Sequence, residues 1–349
     1  MESKSFLRAF SLLLTIILVV FGMMTAAGQS PNSVPGMTVN LPPLASLDVP
    51  SQTADGFTVD IESYYADASR LVFKLLVTGG EEGFSLDGIS LVTAENEFVN
   101  AGYGFFSPDG NPSVVLLEVL PAQLLEGDHF TGQLSFSVGS LSGGMPPAFF
   151  AFNLDIPVHP ALILEPNETV SANGVDILLD RLVVTPAATQ VYLCYVKPSE
   201  KDWTIGGGTT LRIGGRESGL GTYALLFDSD YGDLGKGAEP DWSPPIQKGR
   251  CVKIVFPLGT AEPGVLSLTI QNLEQSMPEV IPEEELAAAR KKLLDQGIDM
   301  DWKVVDHGAG PVYRRLPPGM TEQKAFQRFI EALGYIHPGP WEFTLDIKP

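Results

Sequence analysis

The sequence predicts a mainly β protein built from two tandem β-sandwiches, the second of which carries a small αββα insertion. The 349 residues include 36 glycines and 28 prolines but only 18% charged residues, a composition typical of short strands joined by tight turns. Many short runs alternate apolar and polar residues, as strands with one buried face do. These runs occur twice, in the same order, which predicts two copies of one domain.

The repeated runs set the domain boundaries. We place the first sandwich at residues 45–160 and the second at residues 161–349. The first copy contains the runs 57–61, 70–77, 134–141 and 150–156, and the second contains 175–179, 190–196, 266–273 and 341–347. Turn signals rich in glycine separate the runs, as expected for antiparallel strands that follow each other closely.

The second copy contains an extra segment, at about residues 274–339, before its last strand. Pro282 at a first helical position, three glutamates after it and a stop at Gly297 predict one helix. Two alternating runs then predict a pair of strands. Thr321 predicts the N-cap of a second helix. Its apolar stripe is expected to consist of Phe326, Phe329, Ile330 and Leu333.

The N-terminus predicts export. Lys4 and Arg8 precede an uncharged, strongly apolar stretch at residues 9–27. Residues 1–27 therefore form either a cleaved signal peptide or an uncleaved N-terminal membrane anchor, because the stretch is long for a signal and about long enough to span a bilayer. Either alternative sends the rest of the chain outward. Residues 28–44, rich in Pro, Ser, Asn and Gly, predict a flexible linker.

The charge balance excludes some classes of partner. The formal net charge is −20, and residues 45–160 alone contain 15 acidic residues against two basic ones. Nucleic-acid binders need clustered Lys and Arg, so no nucleic-acid partner is expected. Membrane contact is expected only through the N-terminal segment. The acidic surface predicts either simple solubility or a response to cations.

One acidic loop is the candidate metal site. Asp228, Asp230 and Asp233 surround Tyr231 and Gly232, and carboxylates at this density can hold calcium. The spacing departs from the EF-hand pattern, because Gly232 stands where a ligand is required. Ordinary turn residues are the alternative interpretation, so we expect no cofactor, with calcium as the alternative.

Cys194 and Cys251 are candidates for a disulfide. Both lie in strand-like runs of the second sandwich, and an exported chain reaches an oxidising compartment. We expect a bridge between the two sheets of that sandwich. Two buried free thiols are the alternative.

No catalytic motif stands out in the sequence. Asp306 and His307 form an acid–base pair in the hairpin of the insertion, but neighbouring residues in a strand point to opposite faces, so a turn role is expected. Tyr231 and Trp242 lie among acids in the loop that follows Asp228. Such aromatic residues can stack on sugars or anchor a protein partner, or else be buried under the loop.

Parts of the repeats resemble a known group of proteins. The two openings at 57–61 and 175–179, the turn at 184–186 and the endings at 150–156 and 341–347 resemble uncharacterised Ig-like extracytoplasmic domains of bacteria. These domains occur alone or as outer parts of anti-sigma-factor-like membrane proteins. The resemblance implies immunoglobulin-like sandwiches and a bacterial envelope protein, with no catalytic residues to transfer. Because about eight residues precede the apolar stretch, no cytoplasmic sigma-binding domain is expected.

Together these features predict a non-enzymatic exported protein, secreted or tethered to the outer face of the cytoplasmic membrane. It would act as a binding, sensing or structural module of the bacterial envelope, with an envelope protein or polymer as its partner. One alternative is a cation-responsive, calcium-binding surface protein. Another is an enzyme whose site joins the insertion to the sandwich and uses Asp306, His307 and the glutamates at 283–285 as acid–base groups.

Overall fold

The structure is a computed structural model that describes residues 42–348, except 80–82, 96, 109–110, 112, 122, 142–145, 234–241, 261, 277, 279 and 305–310. The predicted mainly β fold is confirmed, since strands in several packed sheets account for most of the described chain. Residues 1–27 and most of the predicted linker lie outside the described residues, so the signal or anchor stays a prediction. No helix in the described part of the chain is both long and apolar enough to cross a membrane.

The first sandwich consists of two antiparallel sheets. Its strands are β1 (Ala45–Ser46), β2 (Gln52–Ala54), β3 (Phe57–Asp67), β4 (Arg70–Thr78), β5 (Phe84–Thr93), β6 (Asn100–Phe106), β7 (Val114–Pro121), β8 (His129–Ser140) and β9 (Ala148–Pro157). One sheet has the order β1-β3-β4-β7-β6, with β2 paired to β3, and the other has the order β5-β8-β9. Phe73 and Leu117 of the first sheet share a buried core with Phe136 and Phe152 of the second. The alternating pattern of the sequence thus supplies one apolar face to each sheet.

The second sandwich repeats this plan. Its strands are β10 (Leu162–Leu164), β11 (Glu168–Ala172), β12 (Val175–Val184), β13 (Thr189–Tyr195), β14 (Trp203–Ile205), β15 (Thr210–Ile213), β16 (Arg216–Gly219), β17 (Thr222–Asp228), β18 (Gly232–Asp233), β19 (Arg250–Phe256), β20 (Gly264–Gln275) and, after the insertion, β23 (Ile336–Ile347). One sheet has the order β10-β12-β13-β19-β17-β18, with β11 on β12. The other has the order β14-β20-β15-β16, with β23 on β20. Leu193, Ile254, Leu268 and Trp341 meet in the core between them.

The two copies agree in local detail as well as in strand order. Asp55 and Gly56 join β2 to β3 with positive φ at both residues, and Asn173 and Gly174 join β11 to β12 in the same way. This two-residue turn matches the twist of a hairpin, and Asp, Asn and Gly tolerate its left-handed backbone. A register shift follows in each copy, after Ile61 of β3 in the first and at the corresponding place in β12 in the second. The internal repeat inferred from the sequence is therefore present in the backbone.

Between β20 and β23 the chain forms α1 (Glu283–Asp295), β21 (Asp301–Val304), β22 (Pro311–Arg315) and α2 (Glu322–Leu333). Pro282 was predicted as the first helical residue of α1, but it is the N-cap, and the helix begins one residue later. Thr321 is the N-cap of α2, and its side chain accepts a hydrogen bond from the Lys324 N–H. Phe329 is buried, but Phe326 is exposed because Ala325 takes the inward position of that turn. These elements enclose a small core of their own, formed by Leu293, Met300, Trp302, Ala325 and Phe329.

Candidate functional site

The predicted disulfide joins Cys194 of β13 to Cys251 of β19, with an S–S distance of 2.05 Å. The expectation that it links the two sheets is wrong. The two cysteines are direct register partners in neighbouring antiparallel strands of one sheet, with Cα atoms 4.1 Å apart. The sequence could not distinguish these arrangements, because the placement of β19 beside β13 depends on the order of strands in the sheet.

The disulfide lies on the outer face of its sheet, under an aromatic cover. Trp242 packs there with Tyr192, and the two ring centroids are 6.1 Å apart. The Trp242 side chain is only 5% exposed, and its indole N–H donates to Asp180 Oδ2 at 2.7 Å. Trp242 is therefore buried, which was the alternative to an exposed stacking residue. Tyr231, by contrast, is 74% exposed.

A cleft of about 480 Å³ opens beside this cover, at the junction of the two sandwiches. The first sandwich contributes the 123–127 loop that leads into β8, and Leu124 of that loop packs against the cluster around the disulfide. Pro160 and Ala161 line the cleft where the chain crosses from one sandwich to the other. Tyr192 and Trp242 form its wall in the second sandwich. The cleft therefore depends on the way the two copies are joined.

Arg181 is the polar centre of the cleft. It follows the register shift in β12, which turns its side chain to the outer face of the sheet beside Tyr192. Its guanidinium carbon lies 5.8 Å from the Tyr192 ring centroid, and Nη2 donates to Glu165 Oε1 at a long 3.4 Å. The Arg181 Nε atom is buried and has no hydrogen-bond partner among the described residues. Exposed Gln123 and Glu126 add further polar groups at the rim.

Two of the three carboxylates proposed for calcium, Asp228 and Asp230, have protein cations as partners. Asp228 is fully buried, and its Oδ2 accepts from Arg250 Nε at 2.8 Å and Nη2 at 2.6 Å. The Lys197 ammonium lies 3.4 Å from Asp228 and also pairs with Asp230. The Asp230 N–H donates to Asp228 Oδ1 at 2.9 Å. These groups form one ion-pair network, with Asp228 and Arg250 buried at its centre, where β17 ends and β19 begins.

The network decides the charge state of Asp228. Burial would raise the pKa of its carboxyl, but the hydrogen bonds from the Asp230 N–H and Arg250 and the positive charges of Arg250 and Lys197 outweigh burial and lower the pKa. A carboxylate that two cations already neutralise has little remaining attraction for calcium. Asp233 lies in β18, and its side chain is outside the described residues. Within the described ranges, no group of three or more His, Cys, Asp or Glu side chains is placed to hold a metal ion.

The remaining predicted pair, Asp306 and His307, lies in the 305–310 gap, outside the described residues. The enzyme hypothesis that depends on this pair stays untested. No motif in the sequence singled out Arg181, Glu165 or Tyr192. Arg181 could have been suspected from its position after the second copy of the repeated opening, where the alternation of inward and outward residues breaks.

Comparisons with known proteins do not identify a family for this chain. No family model matches the chain, and none of the curated proteins matches it. A conserved domain protein from Bacillus anthracis, known from a crystal structure, is similar over 87% of this chain and 92% of its own, at 9% identity and a TM-score of 0.47. The titin domains z1z2, solved in complex with telethonin, are similar over 63% of this chain and 90% of theirs, at 10% identity and a TM-score of 0.18. The fold assignment therefore rests on the sheets described above, and the resemblance to bacterial extracytoplasmic domains stays a prediction.

Proposed function

We propose that the chain is an exported, non-enzymatic binding module of the bacterial envelope, and that it binds a hydroxyl-rich segment of an envelope polymer in the cleft between its sandwiches. The observation that carries the proposal is Arg181, which lines this cleft with a buried Nε that has no partner among the described residues. A ligand oxygen at Nε would satisfy a donor that is otherwise left without a hydrogen bond.

The disulfide supports export. Disulfides persist in secreted and periplasmic proteins and are rare in a reducing cytosol. The bond between Cys194 and Cys251 therefore agrees with the charged and apolar pattern of the N-terminus. The bacterial envelope is proposed as the location because the two repeats resemble Ig-like extracytoplasmic domains of bacteria.

The chemistry of the cleft supports a polar, uncharged ligand. Sugar hydroxyls both donate and accept hydrogen bonds, and the cleft offers both kinds of partner. Arg181 supplies donors, Glu165 and Glu126 supply acceptors, and the amide of Gln123 supplies both. The volume of about 480 Å³ falls within the range of about 300–1,000 Å³ that is usual for small-molecule sites, which often lie between domains.

The described residues of the cleft offer no aliphatic hydroxyl, thiol or imidazole nucleophile. Its described lining contains no Ser, Thr, Cys or His that would provide a nucleophile beside a base. The phenol of Tyr192 is already engaged, since it donates to Gln190 Oε1 at 3.3 Å.

The proposal can be tested by co-sedimentation of the protein with insoluble envelope polysaccharide. Arg181→Ala removes the guanidinium, and we expect at least about a tenfold loss of affinity, because a hydrogen bond to a charged group is worth about 1.5–3 kcal/mol. Arg212→Ala is the matched control. Arg212 also pairs with a glutamate, Glu217, but it lies on the exposed β15–β16 hairpin outside the cleft. Absence of wild-type binding, or equal losses in both variants, would contradict the proposal.

A further inference from the structure

Strand β6 (Asn100–Phe106) ends the first sheet, and among the described residues no strand pairs with its free side. Tyr103, Phe105 and Phe106 of this strand are each between 43% and 49% exposed, and Phe98, just before it, is 78% exposed. A strand edge with free backbone groups and exposed aromatic side chains is a template for pairing with another chain.

Two aromatic residues of β6, Tyr103 and Phe105, continue the apolar core face of the sheet. Tyr103 is the register partner of Val119, and Phe105 is the register partner of Leu117. Val119 and Leu117 are fully buried between the two sheets. Because residues directly opposite each other point to the same face, Tyr103 and Phe105 lie on the core-facing side at its outer margin. A strand added beside β6 could pack apolar side chains against them.

Three other sheet edges of the two sandwiches, at β9, β18 and β16, are protected in the described structure. On β9, the Gln52 side chain takes the place of a neighbouring strand. Its Nε2 donates to Ala151 O at 2.6 Å, and its Oε1 accepts from the Ala151 N–H at 3.3 Å. In the second sandwich β18 pairs with β17, and the edge strand β16 is four residues long and begins with Arg216 and Glu217. Short length and charge are common protections of edge strands. Residues 103–106 of β6 contain no charged side chain.

The net charge of the first sandwich, to which β6 belongs, selects the occupant. Residues 45–160 contain 15 acidic residues and two basic ones, and both basic ones are paired. Arg70 contacts Glu118 at 3.0 Å, and Lys74 contacts Glu62 at 2.8 Å. A second copy would bring an equally acidic domain to this edge and be repelled. A basic segment would be attracted by the same field.

We propose that β6 captures an extended segment of a partner protein, with alternating basic and apolar residues, as an added strand of the sheet. Backbone hydrogen bonds to the free side of β6 would provide affinity, and the row of aromatic residues would select apolar side chains at every second position. This surface belongs to the first sandwich and does not line the cleft, so it is independent of the function proposed above.

The test uses the full chain and three synthetic octapeptides: one of alternating Lys and Val, one of alternating Glu and Val, and a Lys–Val peptide with proline at two central positions. We expect the Lys–Val peptide to bind at least about tenfold more tightly than either of the other two peptides. Its affinity should fall as salt is added. Equal binding of the Lys–Val and Glu–Val peptides, or no binding of the Lys–Val peptide, would overturn the proposal.

Two variants locate the binding edge. Phe105→Lys places a charge on β6, and Phe149→Lys makes the same change at a 76% exposed phenylalanine on the edge strand β9. We expect Phe105→Lys to weaken peptide binding about tenfold and Phe149→Lys to leave it within about twofold. Tyr103→Lys provides a second change on β6 if Phe105→Lys unfolds. Sedimentation velocity is run on each protein. A wild-type dimer that Phe105→Lys dissociates would assign β6 to self-association and overturn the peptide proposal.

Discussion

The buried pair of Asp228 and Arg250 gives the sharpest stability prediction. Asp228→Asn keeps the size of the side chain but removes its charge, while Arg250, only 3% exposed, keeps its own. Arg250 would then rely on the carbonyl of Trp203, which accepts from Nη1 at 2.6 Å, and on the exposed carboxylate of Asp202. Removing one partner of a buried ion pair usually costs about 3–5 kcal/mol. We expect a loss of about 3 kcal/mol, the lower end, because Asp202 remains as a counter-charge.

The matched control is Asp299→Asn. Asp299 also faces an arginine with both carboxylate oxygens, at 2.6 and 2.7 Å from Arg315 Nη2, but both side chains are about 60% exposed. Exposed pairs contribute about 0–1 kcal/mol, so we expect a loss below about 1 kcal/mol. The assay is urea unfolding followed by tryptophan fluorescence, with the disulfide kept oxidised. Equal losses in the two variants would refute the argument that burial makes the Asp228 pair strong.

Two further predictions concern the same sheet. Because the folded state lowers the pKa of Asp228, its contribution to stability is present above the ordinary aspartate value of about 3.9 and is lost as pH falls through the lower folded pKa. As pH falls below ~4, the free energy of unfolding should therefore decrease more in wild type than in Asp228→Asn. Curves of unfolding free energy against pH that run parallel for the two proteins would contradict this. Cys194→Ala with Cys251→Ala should lower the free energy of unfolding by about 4 kcal/mol, as expected for a bond that spans 57 residues. This value assumes that the disulfide stabilises the fold by lowering the entropy of the unfolded chain. A urea unfolding midpoint of the double variant equal to that of oxidised wild type would contradict it.

Much of the fold could be predicted because it depends on local patterns. Alternating runs such as 150–156 identify strands, and the repeat of these runs identifies two sandwiches of one plan. Thr321 was correctly predicted as the cap of a helix because its hydroxyl acts within one turn. The apolar stripe of that helix was only partly correct, since Ala325 rather than Phe326 faces the small core.

The arrangement of the site could not be predicted, because its parts are distant in sequence. Asp228 meets Arg250 and Lys197 only once β17 and β19 pair, so the sequence of the acidic loop did not reveal the ion pairs that Asp228 and Asp230 make. Trp242 lies on Tyr192 because the chain folds back across the disulfide. The cleft beside Arg181 exists only after the two sandwiches pack around Pro160 and Ala161.

The proposed binding of a hydroxyl-rich envelope polymer depends on Arg181 in the cleft. Isothermal titration of wild type, Arg181→Ala and Arg212→Ala with soluble fragments of envelope polysaccharide measures this dependence. We predict that wild type and Arg212→Ala bind alike and that Arg181→Ala binds at least about tenfold more weakly. No heat of binding with wild type, or the same affinity in all three proteins, would show that the cleft does not bind such a polymer through Arg181.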